Sequence, residues 1–321
     1  MFRVLAIAGS DSGGGAGIEA DIKTISALGG YACTAITALT AQNTLGVAGV
    51  HAIPAEFVRL SMRTVLADIG ADAIKLGMLT NEEIIRAVAV CLPAGMPVVL
   101  DPVMVATSGA VLLPDTAIDA LREKLLPRAS IVTPNLPEAA KLTGLPVETE
   151  GQKIAAGHAL LAMGAQAALI KGGHGTSETL TDFLVTPTGT EAISLPRLDT
   201  RNTHGTGCTL ASAIATGLAQ GMTLSDSVHR ARHYLQEAIR TAPGFGSGHG
   251  PVNHLAGSSR AFEKNCEEAA FFVKKGGTQK TFINLFPQCP SAWTISSVIF
   301  FASPNNIIVL SRKNNSLSTP A

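Results

Sequence analysis

The chain comprises 321 residues, 46% hydrophobic and 15% charged, with 24 basic side chains against 24 acidic ones. This length suits one large α/β domain or two average ones and buries most of the apolar surface, while the even charge balance argues against nucleic acid or an anionic membrane as principal partner. The five cysteines show neither metal-binding nor paired-disulfide spacing, which points to a reducing, cytoplasmic setting.

Met1-Phe2-Arg3-Val4-Leu5-Ala6-Ile7-Ala8-Gly9 has too short an apolar run for a signal peptide and reads as a first buried strand. From there short apolar runs alternate with longer alanine-rich amphipathic stretches, the pattern of parallel strands joined by crossover helices. The pattern predicts strands over 4–8, 32–38, 49–53, 73–76, 98–101, 130–133, 167–171, 179–185 and 191–195. It predicts helices over 17–28, 55–68, 81–91, 115–125, 137–143, 150–163, 208–220 and 224–241. Polar and glycine residues gather just beyond the strands, at Gly9-Ser10-Asp11, Gly77-Met78, Asp101-Pro102, Thr133-Pro134-Asn135 and Lys171-Gly172-Gly173-His174. Ligands of open α/β sheets sit beyond the carboxyl ends of the strands, so a site assembled from many loops on one edge is expected.

Composition changes after about residue 255. Seven of the eleven phenylalanines, the single Trp and two of the five cysteines lie there, Asp and His are absent, and the segment carries about +4 against about −4 for the preceding body. Its apolar runs, Phe300-Phe301 and Ile307-Ile308-Val309-Leu310, are interrupted by Ser303-Pro304-Asn305-Asn306 and too short for a membrane span. The expected division is a folded body over 1–255 and an extension of unknown structure over 256–321. The extension reads as poorly ordered chain, a small appended subdomain, or non-native sequence from a shifted or read-through frame.

Within the body, Asn202-Thr203-His204-Gly205-Thr206-Gly207-Cys208 precedes small, helix-compatible residues and reads as a glycine turn opening a helix. Free N–H groups and the helix dipole favour an anion there, and the two glycines let a phosphate approach the main chain. A helix that merely begins after a glycine turn would look the same. A second stretch, Ile7-Ala8-Gly9-Ser10-Asp11-Ser12-Gly13-Gly14-Gly15-Ala16-Gly17-Ile18-Glu19-Ala20-Asp21, also runs from strand through turn to helix. It lacks the Gly-Lys-Ser/Thr ending of a Walker loop and the spacing of the dinucleotide fingerprint. What remains is a flexible backbone flanked by Asp11 and Asp21, able to close over a small polar molecule and accept its hydrogen bonds, or a tight turn with two solvated aspartates.

Together with Ala38-Leu39-Thr40-Ala41-Gln42-Asn43-Thr44, Lys75-Leu76-Gly77-Met78-Leu79, Thr133-Pro134-Asn135-Leu136-Pro137-Glu138-Ala139 and Lys171-Gly172-Gly173-His174, these blocks resemble the bacterial hydroxymethylpyrimidine/phosphomethylpyrimidine kinases of thiamin biosynthesis. Those enzymes belong to the ribokinase-like superfamily. The match runs in order from about residue 3 to Gly248-His249-Gly250-Pro251-Val252-Asn253-His254 and leaves the tail outside. The resemblance implies a three-layer α-β-α fold with a mostly parallel central sheet, use of ATP and Mg²⁺, and commonly a homodimer. It implies phosphorylation of 4-amino-5-hydroxymethyl-2-methylpyrimidine and then of its monophosphate to the pyrophosphate. A pyridoxal or pyridoxine kinase, and a pyrimidine-binding regulator that has lost transfer, are the competing readings.

Gln42 carries an amide that both donates and accepts, matching the edge of an aminopyrimidine, and the resemblance adds Gly9, Asp21 and Met78 to that pocket. Met78 alone would pass for core packing. Asn135 and Glu138, with Asp101 closing Val98-Val99-Leu100, can hold the waters of Mg²⁺, which needs only one or two direct protein oxygens. The Asn135 and Glu138 spacing fits helix capping equally well, and Asp101 before Pro102 fits a turn start. Lys171 ends a buried strand where its ammonium can neutralise transferring charge. Thr203, Gly205, Thr206 and Gly207 are expected at the terminal phosphate of ATP, with His204 either a further donor or structural. Cys208 stands where most sugar kinases of the superfamily carry an Asp base, and the resemblance implies that the pyrimidine kinases use Cys. A thiol at a helix N-terminus has a lowered pKa, so Cys208 is expected to take the alcohol's proton during in-line transfer; the alternative is a small spacer.

Overall fold

In β1 (Arg3–Asp11) the pleat sends Leu5 and Ile7 into one core cluster and Val4, Ala6 and Ala8 into another, as happens when a strand is covered on both faces. The computed structural model that shows this describes residues 1–106, 108–173, 178–256, 298–301 and 307–310. Helix α1 (Gly17–Ala27) leads to β2 (Tyr31–Asn43), parallel to β1, and β3 (Gly46–Ala52) folds back antiparallel at the sheet edge. The chain continues through α2 (Ala55–Asp68), β4 (Ala73–Leu76), α3 (Glu82–Cys91), β5 (Val98–Leu100), α4 (Ile118–Lys124) and β6 (Ile131–Val132). Then come α5 (Leu136–Thr143), α6 (Glu150–Ala162), β7 (Ala168–Ile170), β8 (Thr179–Thr186), β9 (Gly189–Pro196), α7 (Thr206–Ala219) and α8 (Leu224–Arg240).

The sheet order is β3-β2-β1-β4-β5-β6-β7-β8-β9. All pairings from β2 across to β7 are parallel, and those of β3, β8 and β9 are antiparallel. One cluster packs residues of α2 to α6 against the sheet, and the other packs α1, α7 and α8 against the opposite face. The result is a three-layer α-β-α architecture with a mostly parallel sheet. Because β1 is flanked by β2 on one side and β4 on the other, the winding reverses at β1 and opens a crevice at its carboxyl end.

The strands predicted over 179–185 and 191–195, with no helix between them, form a hairpin in which only Pro187 and Thr188 separate β8 from β9. One local expectation is corrected. The helix expected over 115–125 opens as a 3₁₀ turn, Asp115–Ala117, behind Pro114 and becomes α4 only at Ile118.

The chain divides into a unit over 1–257 and a second over 258–321. In the second, β10 (Val298–Phe301) pairs antiparallel with β11 (Ile307–Leu310); of the rest of the extension expected over 256–321, Ala256 alone is among the described residues. No helix among the described residues is long and apolar enough to cross a membrane.

Candidate active site

Gly205 is the N-cap residue just before α7, and its φ of +83° lies in the left-handed region that favours glycine. A Cβ there would fall 1.8 Å from the Gly15 carbonyl oxygen, so the two glycine-rich turns are in contact. No side chain caps the first turn, and the Thr209 N–H closes it on Gly205 O at 2.9 Å. This uncapped helix start opens into a cleft of about 620 Å³, lined by Thr203, Gly205, Thr206, Gly207 and Cys208. The Thr206 N–H is taken by Thr203 O at 3.3 Å, and the remaining main-chain donors at the positive end of the helix suit an anion.

Gly207 faces the ends of β5 and β7, since a Cβ on it would lie 3.2 Å from Asp101 Oδ2 and 3.5 Å from Lys171 Nζ. Lys171 Nζ donates to Asp101 Oδ1 at 3.1 Å. Burial would lower the Lys171 pKa, but Asp101 and Glu138 beside it raise it above the ordinary lysine value, so it is an ammonium. Burial pushes Glu138 up to about 7, with Lys171 pulling it down and Asp101 adding to the rise.

Asn135 and Glu138 form the capping box of α5: Glu138 N–H donates to Asn135 Oδ1 at 2.9 Å and Asn135 N–H to Glu138 Oε2 at 2.8 Å. The side-chain oxygen of Asn135 is thereby committed to the helix start. Asp101 and Glu138 both face the Lys171 ammonium, and their hard carboxylate oxygens suit hydrated Mg²⁺. Among the described residues no three His, Cys, Asp or Glu side chains cluster as a cage, so a Mg²⁺ ion here would keep most of its waters. A folded pKa raised above the ordinary value means stability that is full below about pH 4.5 and lost as pH rises through 7. Glu138→Gln, which retains the cap acceptor, should therefore raise Tm over the parent at pH 8 in metal-free buffer, with the gap closing at pH 4. Melting curves at the two pH values check this, and an equal gap at both would contradict the assignment.

Gly9, Gln42 and Met78 also line the cleft. Ser12 Oγ donates to Gln42 O and accepts from Gln42 N–H, both at 2.9 Å, which fixes the main chain of Gln42. A Cβ on Gly9 would lie 2.8 Å from Met78 Sδ, so this glycine makes room for the thioether. Thr37 Oγ1 holds the Met78 carbonyl at 2.6 Å.

The aspartates of the first glycine-rich stretch are neither solvated nor on the wall. Asp11 accepts the N–H groups of Gly13, Gly15 and Ala16 at 2.7, 2.9 and 2.8 Å and pairs with His204 Nε2 at 2.8 Å. Burial pushes the Asp11 pKa up, but these bonds win and hold it below the ordinary carboxylate value. Asp11 thus shapes the turn and holds His204 Nε2, while the His204 ring still lines the cleft. Asp21, expected beside the pyrimidine, lies fully buried beneath the wall, accepting Lys75 Nζ at 2.8 and 2.9 Å and Ser212 Oγ at 2.7 Å. Helical periodicity puts it one turn below Gly17, on the face covered by α7.

Cys208 is also corrected in one respect. Gly17 N–H donates to its sulfur, yet the thiol is not lowered: burial pushes it up to about 11, Lys75 pulling it down while Asp21 and Asp101 add to the rise. Helix-terminal stabilisation does not offset burial among carboxylates, so the resting group is a thiol.

Two charged pairs are announced by no motif in the sequence. Lys75 with Asp21 is one. The other is Arg232, whose Nε lies 2.8 Å from Asp182 Oδ2, while Gly172 N–H donates to Asp182 Oδ1 at 2.8 Å and so fixes the turn after Lys171. The available signal is a charge inside an apolar run, Ala73-Ile74-Lys75-Leu76 and Asp182-Phe183-Leu184-Val185. His174 of the Lys171 block lies outside the described residues.

The sequence profile of the phosphomethylpyrimidine kinases matches residues 11–253, a span that takes in every loop around this cleft except Gly9 and Ser10. The chain belongs to the phosphomethylpyrimidine kinase family. It is 48% identical over 254 residues to the thiamine biosynthesis bifunctional protein ThiED of Geobacter sulfurreducens, covering 78% of this chain and 52% of that protein, so it spans about half the length of this relative. Over 259 residues it is 48% identical to the hydroxymethylpyrimidine/phosphomethylpyrimidine kinase of Salmonella typhimurium, covering 79% of this chain and 97% of that one. The ADP complex of Bacillus subtilis pyridoxal kinase matches with a TM-score of 0.75 at 36% identity, over 80% of this chain and 98% of that one. The architecture of this phosphomethylpyrimidine kinase family member is therefore the ribokinase-like fold, and its chemistry is that of a phosphotransferase.

Proposed function

We propose that this protein transfers the γ-phosphoryl group of ATP to 4-amino-5-hydroxymethyl-2-methylpyrimidine, and then a second phosphoryl group to the monophosphate, giving the pyrophosphate used in thiamin biosynthesis. The observation that carries the reading is convergence: the uncapped start of α7, the Lys171 ammonium, the Cys208 thiol and the Gln42 amide all open into one cleft. Gly205 and Gly207, with Thr203 and Thr206, bind the terminal phosphate through the first turn of α7. Lys171 neutralises charge that builds on the transferring group. Asp101 and Glu138 would hold Mg²⁺ through its waters, with Asn135 fixing Glu138, and the ion when bound supplies further neutralisation of phosphate oxygens. Gly9 and Met78 bed the pyrimidine ring, Gln42 reads its amino edge, and Asp21 supports them from below.

Cys208 accepts the alcohol's proton as the thiolate, formed when the resting thiol first loses its own proton to solvent. The protein acts in the cytoplasm, as a homodimer; the exposed edge strand β3 gives a surface for a second copy. ADP release measured with the pyrimidine alcohol, its monophosphate and pyridoxal tests the reading. Faster turnover of pyridoxal would reverse it in favour of a pyridoxal kinase, and no turnover of any would leave a pyrimidine-binding regulator. Gln42→Glu should raise the KM for the pyrimidine about 10-fold or more, because a carboxylate cannot both donate and accept. The KM for ATP should stay within about twofold; equal losses for both substrates would misplace the pocket.

A further inference from the structure

Lys75 sits between Ile74 and Leu76 in β4, fully buried, with its ammonium on both oxygens of Asp21 at 2.8 and 2.9 Å. Asp21 lies four residues after Gly17, the first residue of α1, and accepts Ser212 Oγ at 2.7 Å. Ser212 lies four residues after Cys208 in the first turn of α7. Four residues is one helical turn. One turn above the Asp21–Ser212 bond, the Gly17 N–H donates to the Cys208 sulfur. On its other side the ammonium packs against Gly77, where a Cβ would lie 2.8 Å from Nζ, next to Met78.

We propose that Lys75 is a positioning residue for phosphoryl transfer: through Asp21 and Ser212 it locks the starts of α1 and α7, which meet at the Cys208 sulfur, into one geometry against the strand that leads into Met78. Stability does not account for it. Desolvating a lysine and an aspartate offsets most of their attraction, and an apolar pair of similar volume is often as stable or more so. What an apolar pair lacks is directional bonding from one strand to two helices. Phosphoryl transfer depends almost entirely on positioning and electrostatics, and displacement by about 1 Å can cost about 10²-fold in rate.

The inference rests on the kinase reading above. Ser212→Ala removes one hydroxyl and leaves both charges. It should lower kcat about 10-fold with both KM values within about twofold. The double variant Lys75→Met/Asp21→Leu should keep the parent Tm within a few degrees while losing about 10²-fold in kcat. In both, the rate of Cys208 alkylation by iodoacetamide, followed by peptide mass spectrometry, should change about 10-fold as the sulfur leaves its place between the helix starts. A double variant that keeps kcat within about twofold of the parent overturns the proposal, as does parental alkylation of Cys208 in Ser212→Ala. If the double variant does not fold, Ser212→Ala decides alone. A parent that turned over no pyrimidine would count against the kinase reading, while the alkylation rates would still decide this one.

Discussion

Lys171→Met is expected to lower kcat/KM for the pyrimidine alcohol about 10³-fold, the upper end of what loss of one preorganised electrostatic donor costs. Lys171 is a fixed cation beside the first turn of α7, 3.5 Å from where a Gly207 Cβ would be. It also compensates Asp101 and Glu138. Removing it takes charge stabilisation from the transferring group and leaves two buried carboxylates facing each other. Breaking a buried pair in this way costs about 3 kcal/mol, so Tm should fall as well. The sign of the pH effect follows from Glu138: without Lys171 its pKa, already raised by burial, rises further. The protonated form is the one the variant tolerates, so the Tm deficit should be larger at pH 8 than at pH 5. Lys171→Arg keeps the charge but spreads it over a planar fork, and should recover the Tm more fully than the rate. Steady-state kinetics and melting curves on the two variants measure both effects. A rate loss below about tenfold in Lys171→Met would place the transferred group elsewhere.

Much of this architecture is written in hydrophobic periodicity. The runs 73–76 and 55–68 are strand and helix to the residue because each is bounded by sharp punctuation: Gly77 after β4, and Pro54 before α2. Gly205 is legible for a local reason, since it needs a positive φ, whereas Gly9 clears the remote Met78 and is placed in the pocket by the resemblance alone. Asp21 escapes a local reading because its partners are remote in the chain, and so does the His204 pairing of Asp11, whose other partners Gly13, Gly15 and Ala16 are close by. His204 lies 193 positions from Asp11, and Ser212 lies 191 from Asp21. A local pattern shows that a carboxylate stands near a turn, but whether it meets solvent or a buried lysine depends on the packing of α7 against α1. Asn135 and Glu138 show the limit differently. The spacing that suits a capping box also suits a metal's water shell, and here the cap is formed while Glu138 still lines the cleft beside Asp101. The charge state of Cys208 has no local signature at all, being set by burial together with Lys75, Asp21 and Asp101 from three separate elements.

Cys208→Ala should slow turnover about 10²-fold at neutral pH, the loss expected of a general base, with KM values for ATP and the pyrimidine nearly unchanged. The raised thiol makes this role testable in a second way. With its pKa at about 11, only about 10⁻⁴ of Cys208 is thiolate at pH 7. A cysteine is neutral when protonated, so raising the pH generates the base. If the thiolate takes the proton, log kcat for the parent should climb by about one per pH unit above pH 7 until the protein or the assay limits it. The Cys208→Ala variant should be flat across the same range. Cys208→Ser separates the base from a spacer, because a hydroxyl fills nearly the same volume but is too weak an acid to supply an oxyanion at these pH values. Under the base assignment the serine variant behaves like the alanine one, slow and flat. Under the spacer assignment it runs at close to the parental rate, since a loose transition state asks for little proton removal before the phosphoryl group has moved. The slope with pH and the Cys208→Ser rate therefore have to agree: a flat parental profile together with an active Cys208→Ser enzyme would remove Cys208 from the chemistry and leave the start of α7 and Lys171 to account for the rate.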